Sequence, residues 1–205
     1  MRYSASHKRE THAKLVKLAG RALLGKGPEK LALTDLMRGA GLTHGGFYAH
    51  FRSKDALLAE ALDGVFEESR KKFGKIMDGL PPRHALARYI DVYVSPAHRD
   101  DASRGCPVVA LNSDLPRQSR KFRATFDRGM KLLLGELAGA IGDAGIPGDS
   151  EALAASVLSA MAGAVAVARA VSDRQLSVEL LEAARDSIKA RLGLNDATLS
   201  AKAIP

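Results

Sequence analysis

The sequence predicts an all-α fold with about nine helices. Apolar residues recur at every third or fourth position in nearly every patterned segment of the 205 residues, which is the spacing of a buried helix face. No segment alternates apolar and polar residues well enough to predict a β-strand. Glycine and proline interrupt the pattern, most clearly in the run GLPPR at 79–83, where we expect a helix to end.

Four helices are predicted before this break. In order, they are a helix around Leu15–Leu23, two short helices around 35–40 and 44–50, and a long helix that begins at Ser53. Thr34 and Thr43 stand just before the two short apolar patterns, so each is expected to be an N-cap. Gly41 lies between the two and permits the sharp turn that a two-helix corner needs.

Five helices are predicted after the break. They are expected at about 83–94, 104–114, 117–143, 151–172 and 177–193. The run SPAHRDD at 95–101 is expected to be a polar loop. Ser177 is the expected N-cap of the last helix, with Leu176 and Leu181 spaced to form a hydrophobic staple. The tail at 196–205 is expected to be frayed and flexible.

Positive charge is concentrated at the amino-terminal end. The net charge is +8, and residues 1–60 hold 11 Lys and Arg against 5 Asp and Glu, so that +6 of the charge lies there. Four of the six histidines are in the same stretch. A cationic unit joined to a nearly neutral remainder indicates a nucleic-acid-binding module attached to a second unit.

Two features bear on the cellular compartment. Cys106 is the only cysteine, so that no intrachain disulfide can form and the reducing cytoplasm fits best. The stretch 152–171 resembles a membrane span, because Arg169 is its only charge. Its residues are mostly small, however, and such residues insert poorly into a bilayer. We therefore interpret it as a buried helix at a subunit interface.

The second short helix has an inward and an outward face. Phe47 and Phe51, four residues apart, are expected to dock this helix on the core. Backbone N–H groups at its first turn suit phosphate oxygens, and Lys54 supplies a nearby charge. The residues left to project outward are Thr43, His44, Gly45, Gly46, Tyr48 and His50.

Residues from about 8 to 62 resemble the DNA-binding domain of the TetR family of regulators. The resemblance rests on Ala19 and Leu23 in the first helix, on a short helix opening at Thr34, and on the run AGLTHGGFYAHFRSKDALL at 40–58. The family often has a hydroxyl or basic side chain where Gly45 and Gly46 stand, which leaves base contacts to His44 or His50. The DNA contacts that the resemblance implies are Thr34, Thr43, His44, Gly45, Gly46, Tyr48, His50 and Lys54.

The resemblance also implies a domain plan and a mechanism. The expected domains are a three-helix helix-turn-helix DNA-binding domain at 1–52 and a helical effector-binding and dimerisation domain at 53–195, with helix 53–78 connecting them. A homodimer would form through the helices near 151–172 and 177–192 and place two recognition helices on a near-palindromic operator. Leu180, Ala184, Ile188 and Leu192 offer an apolar stripe for this contact. The expected role is a repressor that a small-molecule effector releases from DNA.

The effector pocket is the least defined part of this hypothesis. The large or polar side chains that could line it are Tyr89, Tyr93, Cys106, Phe122, Phe126, Met130 and Arg169. For the aromatic residues and Met130, plain core packing is the favoured interpretation. Arg169 could meet an anionic ligand or a carboxylate of the partner subunit, or it could lie at the surface.

Three alternative functions are considered. Cys106 precedes Pro107 at an expected helix start, where a thiol can become a reactive thiolate, so the regulator could sense electrophiles or oxidants. A DNA-binding architectural protein without an effector would share the amino-terminal features. An enzyme is not expected: the sequence has no Ser/His/Asp order with a glycine elbow, no phosphate-binding loop and no metal-spaced His/Cys cluster. No cofactor or metal is therefore predicted.

Overall fold

The computed structural model describes residues 5–195, apart from the side chains of Ala5 and His44. Within that range the chain forms nine α-helices and three short 3-10 helices and has no β-strand. The α-helices are α1 Ala5–Lys26, α2 Leu33–Ala40, α3 Lys54–Met77, α4 Pro82–Tyr93, α5 Pro96–Asp100, α6 Pro107–Leu111, α7 Arg120–Asp143, α8 Ser150–Ala170 and α9 Arg174–Arg191. The all-α prediction is confirmed, and the tail at 196–205 lies outside the described residues.

The described chain divides into two compact units, each built from two separate stretches of sequence. The first unit holds residues 5–68 and 102–129, and the second holds 69–101 and 130–195. The boundary between residues 52 and 53, which the resemblance implies for the DNA-binding and effector domains, stays a prediction. The sequence does not indicate that 102–129 groups with the amino-terminal helices.

The core of the first unit is built on the predicted apolar face of α1. Leu15, Ala19 and Leu23 are fully buried. The helix packs against α2, against α6 and against the 3-10 helix Ala102–Arg104. These last two contacts bring the later stretch of sequence onto the first helix and explain why it belongs to this unit.

A close helix crossing within the first unit depends on one glycine. The rings of Phe66 in α3 and Phe126 in α7 meet edge to face with centroids 5.4 Å apart. A Cβ atom at Gly129 would lie 2.2 Å from the Phe66 ring, well inside van der Waals contact. Glycine therefore lets the Phe66 ring lie against the backbone of α7.

The second unit is centred on α8, which packs against α5 and α9. Its inward face is buried and includes Val157, Met161 and Val165. Ile188 of α9 and Leu192, the residue that follows this helix, are also buried in this unit. The prediction that these two residues contribute to the dimer contact is therefore wrong. By length and composition, α8 is one helix of the described chain that could cross a membrane, and 39% of its apolar window is buried.

The start of α9 differs from the prediction. The helix begins three residues earlier than expected, and the carboxylate of Asp173 caps it by accepting hydrogen bonds from the backbone N–H groups of Gln175 and Leu176, at 2.9 and 3.1 Å. Ser177 is buried, and its hydroxyl donates to the carbonyl of Ala168 at 2.5 Å. Both Asp173 and Ser177 are good capping residues, and only the tertiary partners of Ser177 distinguish between them.

The expected polar loop at 95–101 contains the helix α5. Ser95 caps this helix, because its Oγ accepts from the N–H of His98 at 3.2 Å. Arg169 of α8 donates to the carbonyls of His98 and Arg99 at 3.1 and 3.0 Å. These donors satisfy carbonyl groups at the end of the helix, which allows a five-residue helix with a polar sequence to form.

Candidate nucleic-acid interface

The two-helix corner forms at Gly41, as the sequence predicts. This residue has a φ of +77°, in the left-handed region that favours glycine. Its N–H donates to the carbonyl of Arg38, and the N–H of Leu42 donates to that of Met37 at 2.8 Å. This is a glycine-terminated helix end in which orphan carbonyls gain partners.

The element after the corner is a 3-10 helix, His44–Ala49, where the sequence suggested an ordinary short helix. Phe47 is buried, and its ring stacks on that of Phe51 with centroids 5.6 Å apart. The two aromatic side chains dock the element on the core, as predicted. Two glycines in the first turn weaken an α-helical geometry, which is consistent with the tighter winding.

The predicted DNA-contact residues all lie on the segment that runs from α2 to the start of α3. Tyr48 projects from the 3-10 helix with 67% of its surface exposed. Thr43 has extended backbone at the N-cap position, and its hydroxyl makes no capping hydrogen bond. The other exposed members are Thr34 and Gly45, the partly buried ones are Gly46, His50 and Lys54, and His44 is the first residue of the 3-10 helix.

One of these assignments needs a correction. The N-cap of α2 is Ala32, not Thr34, and no side chain caps the helix. Thr34 is the second residue of the helix and is exposed. The helix begins earlier than the capping pattern predicts, because Leu33 already has helical backbone.

Sequence reasoning missed a contact that supports the 3-10 helix His44–Ala49, which we call the recognition element. Nε2 of His12 in α1 lies 2.5 Å from Oε1 of Glu60 in α3. The same imidazole stacks on the ring of Phe51, with centroids 4.5 Å apart. His12 therefore connects α1 and α3 to Phe51, two residues beyond the end of the recognition element. The concentration of histidines in residues 1–60 was the available signal, but it did not indicate the partner.

His50 has an unusual electrostatic setting beside this contact. Burial lowers the pKa of His50, and the nearby charges of His12 and Lys8 lower it further. Its Nδ1 atom is buried and has no hydrogen-bond partner among the described residues. The imidazole therefore favours its neutral form in the protein alone. A phosphate group placed near it would favour the protonated form.

The basic residues of α1 include Lys14, Lys17 and Arg21, and one of them has a structural role. Nζ of Lys14 donates to the carbonyl of Ala40 at 3.2 Å, at the carboxyl-terminal end of α2. This lysine helps to hold the corner, because a cation near the last carbonyls of a helix is favourable. Lys17 and Arg21 on the same helix are exposed.

The predicted pocket residues are divided between the two units. Cys106, Phe122 and Phe126 belong to the first, and Tyr89, Tyr93, Met130 and Arg169 belong to the second. The tyrosines and Phe122 are buried, as core packing requires, and Phe126 and Met130 are partly buried. The guanidinium of Arg169 binds backbone carbonyls of the chain itself, as described above for α5. Among residues 5–195 no group of three or more His, Cys, Asp and Glu side chains could hold a metal ion.

A helix corner at Gly41, a recognition element docked by aromatic side chains and exposed basic residues on α1 together define a helix-turn-helix DNA-binding protein. Comparison with protein families agrees. Residues 16–61 match the bacterial regulatory proteins of the tetR family, and residues 82–185 match the carboxy-terminal domain of LmrA/YxaF-like transcriptional regulators. The second match covers just over half of the chain. The chain therefore belongs to the TetR family of bacterial transcriptional regulators. Members are non-enzymatic proteins that bind DNA operators and act as dimers with small-molecule effectors.

Individual relatives match only parts of the chain, at low sequence identity. The chain is 26% identical over 106 residues to the transcriptional regulator EthR of Mycolicibacterium smegmatis, a match that covers 51% of this chain and 49% of that protein. It is 33% identical over 67 residues to TtgR of Pseudomonas putida, covering 33% and 32%. The chain thus spans about half or less of the length of the curated relatives it matches.

Solved structures share the fold over almost the whole chain. The reduced form of E. coli NemR superposes with a TM-score of 0.79 at 20% identity, covering 91% of this chain and 99% of NemR. A TetR regulator from Chloroflexus aurantiacus gives a TM-score of 0.76 at 23% identity, covering 90% and 95%. At these identities the comparison establishes the fold.

Proposed function

We propose that this protein is a cytoplasmic, homodimeric repressor that a small-molecule effector releases from a near-palindromic operator. The observation that carries the proposal is the recognition element. It presents the exposed side chain of Tyr48, and the hydroxyl of Thr43 just before it makes no capping hydrogen bond. The stacked rings of Phe47 and Phe51 fix its position. Rigid placement of such groups is what specific DNA binding requires, because phosphate contacts set the register from which bases are read.

The predicted DNA contacts divide into two roles. Hydroxyl groups and an ammonium suit the phosphate backbone, and these are Thr34, Thr43, Tyr48 and Lys54. His44 and His50 are the candidates for base contacts, since an imidazole can both donate and accept hydrogen bonds in the major groove. A Cβ atom at Gly45 would meet no atom within 4 Å. The fold therefore does not require glycine there, which supports a close approach of its backbone to DNA.

The homodimer contact is proposed to use the exposed faces of α8 and α9. Apart from Glu151 in the first turn, the exposed residues of α8 are Ala152, Ala155, Ser156, Ser159, Gly163, Val167 and Ala170. This row of small side chains lets a second helix approach closely. Val167 and Leu176 are 53% and 45% exposed, so the patch has apolar anchors that water does not favour.

The proposal is tested by fluorescence anisotropy on the intergenic DNA beside the gene of the protein, with random DNA of equal length as the reference. Tight binding to one palindromic fragment is expected, with affinity that falls steeply as salt rises. Tyr48→Phe removes one hydroxyl and should weaken operator binding by about tenfold, since a hydrogen bond to a charged group contributes about 1.5 kcal/mol or more. Equal affinity for every fragment would favour an architectural protein, and no binding at low salt would contradict the proposal.

A second candidate function is electrophile or oxidant sensing through Cys106. The thiol stands at the N-cap position of α6, as the sequence suggested, but it is only 6% exposed. Reactive cysteines are usually accessible, so burial argues for a packing role. Treatment with N-ethylmaleimide, with Cys106→Ser as the control, distinguishes the two. Unchanged operator affinity after confirmed alkylation would end this alternative.

A further inference from the structure

The second unit contains a groove of about 410 Å³ that includes none of the predicted pocket residues. It lies between the last turns of α3, the first turn of α4 and the last turns of α7. Phe73, Ala85 and Ala140 give it apolar walls. Its volume falls in the range of small-molecule sites, which are mostly apolar with a few polar groups.

Two glycines in helix interiors keep this groove open. Gly74 in α3 and Gly139 in α7 both line it. A Cβ atom at either position would meet no atom within 4 Å, and neither residue has a positive φ. Glycine lowers helix stability relative to alanine, and neither turn geometry nor close packing compensates for that cost here. The lack of side chains at these two positions leaves space in the groove for a bound molecule.

The charged groups of the groove are unbalanced. Nε of Arg70 donates to Oε1 of Glu136 at 2.6 Å, and both side chains are about one third exposed. Oε2 of Glu136 is buried and accepts no hydrogen bond from the described part of the chain. Asp143 contributes a second carboxylate to the lining. Two carboxylates against one guanidinium leave a net negative charge, and one buried acceptor lacks a donor.

We propose that this groove binds a small amphipathic organic cation, an aromatic or aliphatic body that carries a protonated amine. The body would lie on the ring of Phe73 and in the space above Gly74 and Gly139. The ammonium group would donate to the carboxylate of Glu136, which lines the groove. That such binding releases DNA rests on the proposed repressor function, whereas the binding itself does not.

Isothermal titration calorimetry on the full chain without DNA tests the site with three ligands that share one apolar body. They are 4-phenylbenzylamine, 4-phenylbenzyl alcohol and 4-phenylbenzoate, which are cationic, neutral and anionic. We expect the amine to bind at least tenfold more tightly than the other two. Glu136→Gln should remove most of this preference while keeping the shape of the side chain. Equal affinity for all three ligands, or no saturable binding of the amine, would overturn the proposal.

A matched pair of glycine variants locates the site. Gly139→Leu places a side chain in the groove, and Gly135→Leu places the same side chain one turn earlier on α7, where a Cβ also meets no atom within 4 Å. The amine should bind the Gly135→Leu variant like the wild type and the Gly139→Leu variant at least tenfold more weakly. Unchanged binding in Gly139→Leu would overturn the assignment. If Gly139→Leu did not fold, the Glu136→Gln comparison would still decide.

The operator titration is a separate readout. If the amine binds in the groove and the protein binds no operator, the proposal of a ligand site is supported and the proposed repressor function is contradicted. If operator binding is normal and the amine does not bind, the groove proposal fails alone.

Discussion

Lys54 is the residue whose proposed contact with DNA has the most direct thermodynamic signature. It is the first residue of α3 and is partly buried, next to the Ser53 hydroxyl that accepts a hydrogen bond from the N–H of Ala56 at 3.1 Å. The cap fixes where the helix begins, and with it the place from which the ammonium group reaches outward. A phosphate contact made from such a position releases counterions when it forms.

Lys54→Ala is therefore expected to reduce the salt dependence of operator binding. The slope of log K against log salt should fall by about 0.9 for each phosphate that the variant no longer neutralises, and affinity should fall for all DNA sequences alike. Lys131→Ala is the matched control, because Lys131 is an exposed lysine of the second unit. An unchanged slope in Lys54→Ala, measured by anisotropy at several salt concentrations, would place the DNA surface elsewhere.

His98 predicts a pH dependence of stability at the residue scale. Its Nδ1 lies 2.7 Å from the carbonyl of Tyr93, and since a carbonyl only accepts, this nitrogen carries the proton. Burial lowers the pKa of His98 most, the hydrogen bond to Tyr93 opposes this effect, and the charge of Arg169 lowers the pKa further. The native state therefore favours the neutral imidazole more than the unfolded chain does.

The sign of the effect follows from this difference. Below the ordinary histidine pKa of about 6.5 the unfolded chain takes up a proton that the native protein resists, so the free energy of unfolding should fall as the pH drops from 7.5 to 5.5. His98→Asn keeps a donor toward the Tyr93 carbonyl and removes the titration. Urea unfolding at both pH values should show a smaller loss of stability in this variant than in the wild type. An equal loss in both proteins would contradict the assignment.

At the scale of elements, local pattern predicts helices well and their ends less well. The buried face of α1 and the docking of Phe47 follow from spacing alone, because neighbours within one helix determine them. The start of α9 did not follow, because Asp173 and Ser177 are equally good caps by composition. Arg99, which donates to the Ser177 hydroxyl at 2.8 Å, lies 78 positions away in the chain. A contact of that separation leaves no trace in local periodicity.

The crossing at Gly129 is an element-scale feature that a substitution can test. Gly129→Ala places a methyl group into the Phe66 ring, and overpacking of this kind typically costs about 1–3 kcal/mol, against a gain in helix propensity of up to about 1 kcal/mol. A net loss of stability is expected in urea unfolding. Gly135→Ala, on the same helix in open space, should instead gain about 0.5–1 kcal/mol. Stabilisation by both variants would show that the Phe66 ring moves aside freely.

At the scale of the whole molecule, the proposed homodimer depends on an apolar patch that one chain leaves exposed. Val167 of α8 and Leu132 of α7 have the same exposure, 53%, but only Val167 lies on the proposed dimer face. Val167→Glu should produce monomers in size-exclusion chromatography with light scattering, because a buried unpaired carboxylate is costly. Leu132→Glu should remain a dimer. Dimers in both variants would move the interface away from α8.

The family could be predicted from about a quarter of the chain, and the fold class from helical periodicity along most of it. The effector site could not be predicted. The corner and recognition element occupy consecutive residues, so their pattern is visible in one run of sequence. The predicted pocket residues Tyr89, Phe122 and Met130 are large, and size does not distinguish a core residue from a ligand contact. The groove at Gly74 and Gly139 is defined by side chains that are missing, which no search for large residues would find.

The interleaved composition of the two units limits how the chain can be divided. Residues 102–129 complete the first unit and supply the partners of Phe66, yet they follow 33 residues of the second unit. A fragment that stops near residue 80 would carry the whole helix-turn-helix and still leave that ring uncovered. Chimeric regulators that graft this DNA-binding segment onto another family member should therefore carry residues 102–129 along with it. In such chimeras the DNA-binding unit cannot be transferred as one continuous segment, and two separate segments of the gene would have to be exchanged together.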